Sequence, residues 1–160
     1  MNAQSTSAST STPKLLLPIL IGGGIAGILD LTSAFITFGW KVPRGIAMGL
    51  LGTRAFQGSS SWLLFTWILG VILHFTIAFG AATIYCLTAR RLTFLEENFL
   101  VCGLFYGIAV YLVMNLIVLP LSAFPIKTGT FTLNGLREGI LIHMILIGLP
   151  ISFGAWRFSK

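Results

Sequence analysis

Four strongly polar side chains, Asp30, His74, Asn115 and His143, each stand inside a long apolar stretch of a 160-residue chain. A carboxylate beside imidazoles can take up and release protons, attract a cation or hydrogen-bond a small polar solute. Since an unperturbed imidazole changes charge near about pH 6.5, such a group also gives a basis for a pH-dependent response. Two other chemistries use the same residue types. Opposed His74 and His143 suit axial ligation of a haem, but they lie at different depths and no second pair accompanies them. Asp30 with both histidines has the donor set of a transition-metal site. No Walker loop, no GxGxxG after a strand, no HExxH and no Ser or Cys beside a base with a family signature occurs. The expectation is a protein without catalysis, without a resident cofactor and without a metal.

The elements that must position these residues follow from composition. With 56% hydrophobic and 9% charged residues and a mean hydropathy of +0.94, too little polar surface exists to keep a globule of this size in water. The apolar stretches cover about residues 15–38, 62–89, 99–121 and 139–158, and a helix of roughly 20 residues crosses a hydrocarbon core about 30 Å thick. Lipid offers backbone groups no partner, so each span must be a helix or part of a closed barrel. Period-two alternation is absent, and helices are expected. A cleaved signal peptide is the rival reading of the first stretch, which is longer than the usual apolar core of about 7–15 residues.

The ten basic residues, which give a net charge of +6, stand singly or as one pair at the ends of the stretches. They make no patch for nucleic acid and read as membrane anchors, with Trp40, Trp62 and Trp156 forming an interfacial belt. Five of them, Lys14, Arg90, Arg91, Arg157 and Lys160, share one side, and five, Lys41, Arg44, Arg54, Lys127 and Arg137, share the other. Arg90 and Arg91 lie in the shortest loop, where the positive-inside rule is strongest, and this places both termini in the cytoplasm. Cys86 and Cys102 are too few for a disulfide framework and read as small buried apolar residues.

Residues 1–13, nearly all Ser, Thr, Ala, Asn and Gln, predict a disordered tail ahead of a membrane domain over 14–160. Pro43 and the apolar run Ile46–Leu51 between Arg44 and Arg54 predict a short interfacial helix. The short connection 90–98 predicts an antiparallel hairpin of the second and third spans, and Pro150 predicts a kink in the fourth.

Small residues mark the faces on which helices meet. The first span carries Gly23 and Gly27, leading to Asp30. The third carries Gly103 and Gly107, leading to Tyr111 and Asn115. The second and fourth share Gly-x-x-x-His, as Gly70 to His74 and Gly139 to His143. A charge at the bilayer centre costs about 2.5–3.5 kcal/mol on insertion scales, so the four polar residues are expected to face protein, all in the half nearer Trp40 and Trp62. A duplicated pair of hairpins would put a shared site at the repeat interface. The bland alternative is interhelical hydrogen bonding alone, each bond being worth about 0.6 kcal/mol.

Gly27 to Pro43, Leu73-His74-Phe75, Ala78-Phe79, Tyr85-Cys86, Gly103 to Gly107, Asn115 with Leu119-Pro120-Leu121, and Gly139 to His143 together resemble the YagU-type bacterial inner-membrane proteins. The resemblance implies a small polytopic protein of that membrane in a family largely without an assigned activity. The chain departs from that pattern at Asn115, where the family has His, and in a shorter connection after the first span. The expected whole is an all-α, polytopic four-helix bundle with an interfacial helix, in contact with lipid and packing as a homo-oligomer. Its function is expected to be transport or pH sensing of a proton, cation or small solute through the polar cluster, with a structural or accessory subunit as the rival.

Overall fold

The structure, a computed structural model, describes residues 15–125 and 133–158, so the expected tail 1–13 lies outside it. It is an all-α bundle, with no strand among the described residues. Four helices are long and apolar enough to cross a membrane: α1 (Leu16–Phe38), α3 (Ser60–Ala89), α5 (Phe99–Leu121) and α6 (Leu133–Phe158). Between them lie α2 (Val42–Leu51), followed by a 3-10 turn over Gly52–Phe56, and a single helical turn α4 (Phe94–Glu97). This is a multi-pass membrane protein. Ile36 and Leu121, each 82% exposed, sit on an outer surface that would be costly in water and is at home in lipid.

Three spans begin and end within about two residues of the apolar stretches. The fourth starts at Leu133 rather than near Gly139, because Leu133–Glu138 continues the helix as an exposed turn and a half. Apolar composition marks where a helix enters lipid, and helical backbone can begin earlier.

Glycine sets how the spans meet. Gly23 and Gly27 of α1 lie against Phe79, Ala82, Phe75 and Ala78 of α3. On α5, a Cβ at Gly107 would meet the His143 carbonyl of α6, and one at Gly148 of α6 would meet the Gly103 carbonyl. In each half, therefore, the GxxxG helix packs on the helix that carries the histidine. The halves join where α1 and α6 cross, with Gly154 against the backbone of Gly22. Spatially, α1 sits between α3 and α6, and α6 between α1 and α5. The expected α3/α5 hairpin is connected in sequence, but those two helices do not pack closely. Long side chains bridge them: Tyr106 Oη donates to the Ala81 carbonyl at 2.7 Å, and the Tyr85 and Tyr106 rings meet edge-on at 4.9 Å.

The interfacial helix α2 forms as expected, with Pro43 in its first turn. Gly39 (φ 77°) and Gly52 (φ 60°) bracket it, in backbone that side-chain-bearing residues rarely adopt. It is seated on α3, where a Cβ at Gly70 would overlap the Pro43 carbonyl. Arg44 Nε donates to the Leu63 carbonyl at 3.2 Å, and the Ala123 N–H to the Gly49 carbonyl at 2.8 Å. Beside it Trp40 stacks on both Phe35 and Trp67, and Trp67 Nε1 donates to the Trp40 carbonyl at 3.1 Å. Such a cluster suits the water–lipid boundary.

Candidate functional site: a cavity shared by both halves

Because α3 and α5 stay apart, space remains between them. A cavity of about 90 Å³ opens there, lined by Ala26, Gly27 and Asp30 of α1, Ile46 of α2, His74, Ile77, Ala78 and Ala81 of α3, Val110 and Met114 of α5, and His143 and Ile147 of α6. The lining positions on α3 fall at i, i+3, i+4 and i+7, one helix face. Three of the four polar residues expected to converge do so: Asp30, His74 and His143, from three helices and both halves. Ala81 of the lining accepts the Tyr106 bridge on the side of the loop 90–98, and Ile46 joins the lining from α2.

Asn115 is placed elsewhere. It is half-buried, it does not line the cavity, and its Nδ2 donates back to the Tyr111 carbonyl of its own helix at 2.9 Å. Stepping by four along an α-helix drifts about 40° per step, so a line from Gly103 through Gly107 and Tyr111 to Asn115 turns away from its starting face. Met114 takes the lining position instead. Of the small residues, Gly27 lines the cavity, while Gly23, Gly70, Gly103, Gly107 and Gly139 act in packing; Gly139 gives room to the Tyr111 ring.

The two histidines are held differently. His74 Nε2 lies 2.9 Å from the Gly27 carbonyl on α1, and His143 Nδ1 lies 2.9 Å from the Gly139 carbonyl one turn back on its own helix. A carbonyl only accepts, so both ring nitrogens carry the proton. The Tyr111 ring stands edge-on to His143 at 5.1 Å, and Phe75 does the same for His74 at 5.5 Å. Among the described residues no group hydrogen-bonds the Asp30 side chain. No Lys or Arg among the described residues lines the cavity. Among the described residues no three His, Cys, Asp or Glu side chains are arranged to hold a metal ion.

A further device borders the site, and the sequence displays it as a repeated motif. Met114-Asn-Leu-Ile-Val-Leu-Pro120 and Met144-Ile-Leu-Ile-Gly-Leu-Pro150 match at Met, Leu, Ile, Leu and Pro. Each match coincides with a π-helical stretch, Met114–Val118 in α5 and His143–Gly148 in α6. In both, the N–H of the leucine before proline bonds the methionine carbonyl five residues back. Proline has no N–H to give the ordinary i−4 carbonyl, and the wide turn forms just ahead of it. The expected kink at Pro150 thus takes the form of a π turn, a feature frequent at functional sites. Its first residue, His143, lines the cavity, as does Met114 at the start of the other.

Comparison of the chain with protein-family models, with curated proteins and with solved structures gives no match.

Proposed function

We propose that this is a bundle that moves or senses a proton, cation or small polar solute through the cavity bounded by Asp30, His74 and His143. The single observation that carries the reading is the convergence of three ionisable side chains from α1, α3 and α6 on one cavity. Ionisable groups inside a membrane are costly, and their usual use is a solute or proton path. A cavity shared by two similar halves is also where transporters built from repeats hold their solute. The motif likeness to YagU-type proteins supports a bacterial inner membrane. Arg90 and Arg91 in the short loop support cytoplasmic termini, in which case the Ile46 side of the cavity faces outward.

A structural or accessory subunit is the second reading, favoured by the His74 bond to Gly27, which ties α3 to α1. Liposome flux and pH-response measurements on Asp30→Asn and His74→Ala separate the two. Under the first reading both variants insert and fold but lose activity. If both lose only thermal stability in detergent, the residues are interhelical glue and the first reading falls.

A further inference from the structure

We infer that the occupant of this cavity is a small protonated amine, ammonium or a short primary alkylammonium, held through its N–H donors. The inference rests on reading the cavity as a solute site and names the class of solute. Among the described residues, every polar side-chain atom of the lining that is not already engaged with a backbone carbonyl is an acceptor. The N–H of each imidazole is already given to a backbone carbonyl, Gly27 for His74 and Gly139 for His143. A neutral ring then keeps only a lone pair, on Nδ1 of His74 and on Nε2 of His143. An ionised Asp30 adds two acceptor oxygens, with no hydrogen bond among the described residues, and the other lining side chains carry no nitrogen or oxygen. An anion or a second acceptor would find, among the described residues, a carboxylate, two lone pairs and no uncommitted side-chain donor.

Charge and shape narrow the class further. With one carboxylate and, among the described residues, no Lys or Arg in the lining, a single positive charge would balance the site; an unpaired charge inside the membrane is unfavourable. The three groups are not arranged around one metal ion, so acceptors spread round a cavity of about 90 Å³ call for a polyatomic cation with several donors pointing apart. An ammonium head has three or four. The apolar remainder of the wall, including Ile46, Val110, Met114 and Ile147, fits a methyl or ethyl group. A quaternary ammonium carries the charge but has no N–H to give.

Equilibrium binding of labelled methylammonium to the full chain in detergent micelles and in proteoliposomes tests this. The expected result is saturable binding displaced by ammonium and ethylammonium but not by tetramethylammonium, Na⁺ or formate. Asp30→Asn should weaken it about tenfold or more, as loss of one charge-assisted hydrogen bond does. Ile46→Phe, which fills the cavity without touching a charge, should weaken it too. Competition by tetramethylammonium or Na⁺ equal to that by ammonium, or unchanged binding in both variants, overturns the assignment. If methylammonium fails to bind while an Asp30- and His74-dependent flux of another solute persists, the amine falls and the solute site stands. If neither binding nor such a flux occurs, both fall.

Discussion

The Nε2–H of His74 donates to the Gly27 carbonyl at 2.9 Å, joining α3 to α1 at the wall of the cavity. Gly27 is the second glycine of the GxxxG pair on which α3 packs, so the bond and the close approach occur at one place. Replacing His74 by Ala should cost about 0.6 kcal/mol and no more than about 2 kcal/mol, the range of interhelical bonds in membranes. Reversible unfolding in mixed micelles measures it. A larger loss would mean that His74 chiefly holds the bundle together.

Gly70 is where α2 lies on α3. Gly70→Ala should push the Pro43 backbone away, costing about 1–3 kcal/mol as overpacking does, and should loosen the neighbouring Trp40–Trp67 stack. A red shift and broadening of tryptophan emission together with a lowered Tm would report it. Gly80→Ala, with nothing within 4 Å of the added carbon, should leave both unchanged.

At the α5/α6 crossing, a methyl at position 107 meets the carbonyl of His143. Gly107→Ala is therefore expected to shift the histidine along with the helix backbone and to reduce activity as well as stability. Gly24→Ala, facing open space, is the control. Equal behaviour of the two variants would show that α6 yields without moving His143.

Asn115→Ala should leave flux and methylammonium binding unaltered and change stability by no more than about 0.5 kcal/mol, the range of substitutions away from special features. A loss of activity equal to that of Asp30→Asn would put Asn115 back in the site.

Pro150→Ala restores an N–H that can reach the ordinary i−4 carbonyl. The π turn over 143–148 should then tighten, and one residue fewer in that turn rotates the preceding segment by about 100°. Cysteine-accessibility scanning of residues 139–143 should show the labelled face moving round the helix. An unmoved pattern would mean that packing against α5 sets the wide turn.

Much of this fold is legible in the sequence because hydropathy alone determines which segments can lie in lipid, and Pro43 marks the start of α2. That Asp30, His74 and His143 turn inward is legible for the same reason, since each has an apolar run around it and only protein on its inner side. Asn115 is not, because a polar side chain can satisfy itself on its own helix, here at the Tyr111 carbonyl, and needs no partner across the bundle. Ile46 is invisible as a wall of the cavity until α2 is seen lying on α3. The π turns stand in plain view as two copies of Met-x4-Leu-Pro, yet the extra residue in the turn is a property of backbone bonding, which no apolar periodicity reports.

The unequal anchoring of the two imidazoles has a mechanical consequence. His143 leans on its own helix and would carry its tautomer through any rigid shift of α6. His74 leans on a neighbour, so sliding α1 past α3 would break that bond and release the ring from its fixed tautomer.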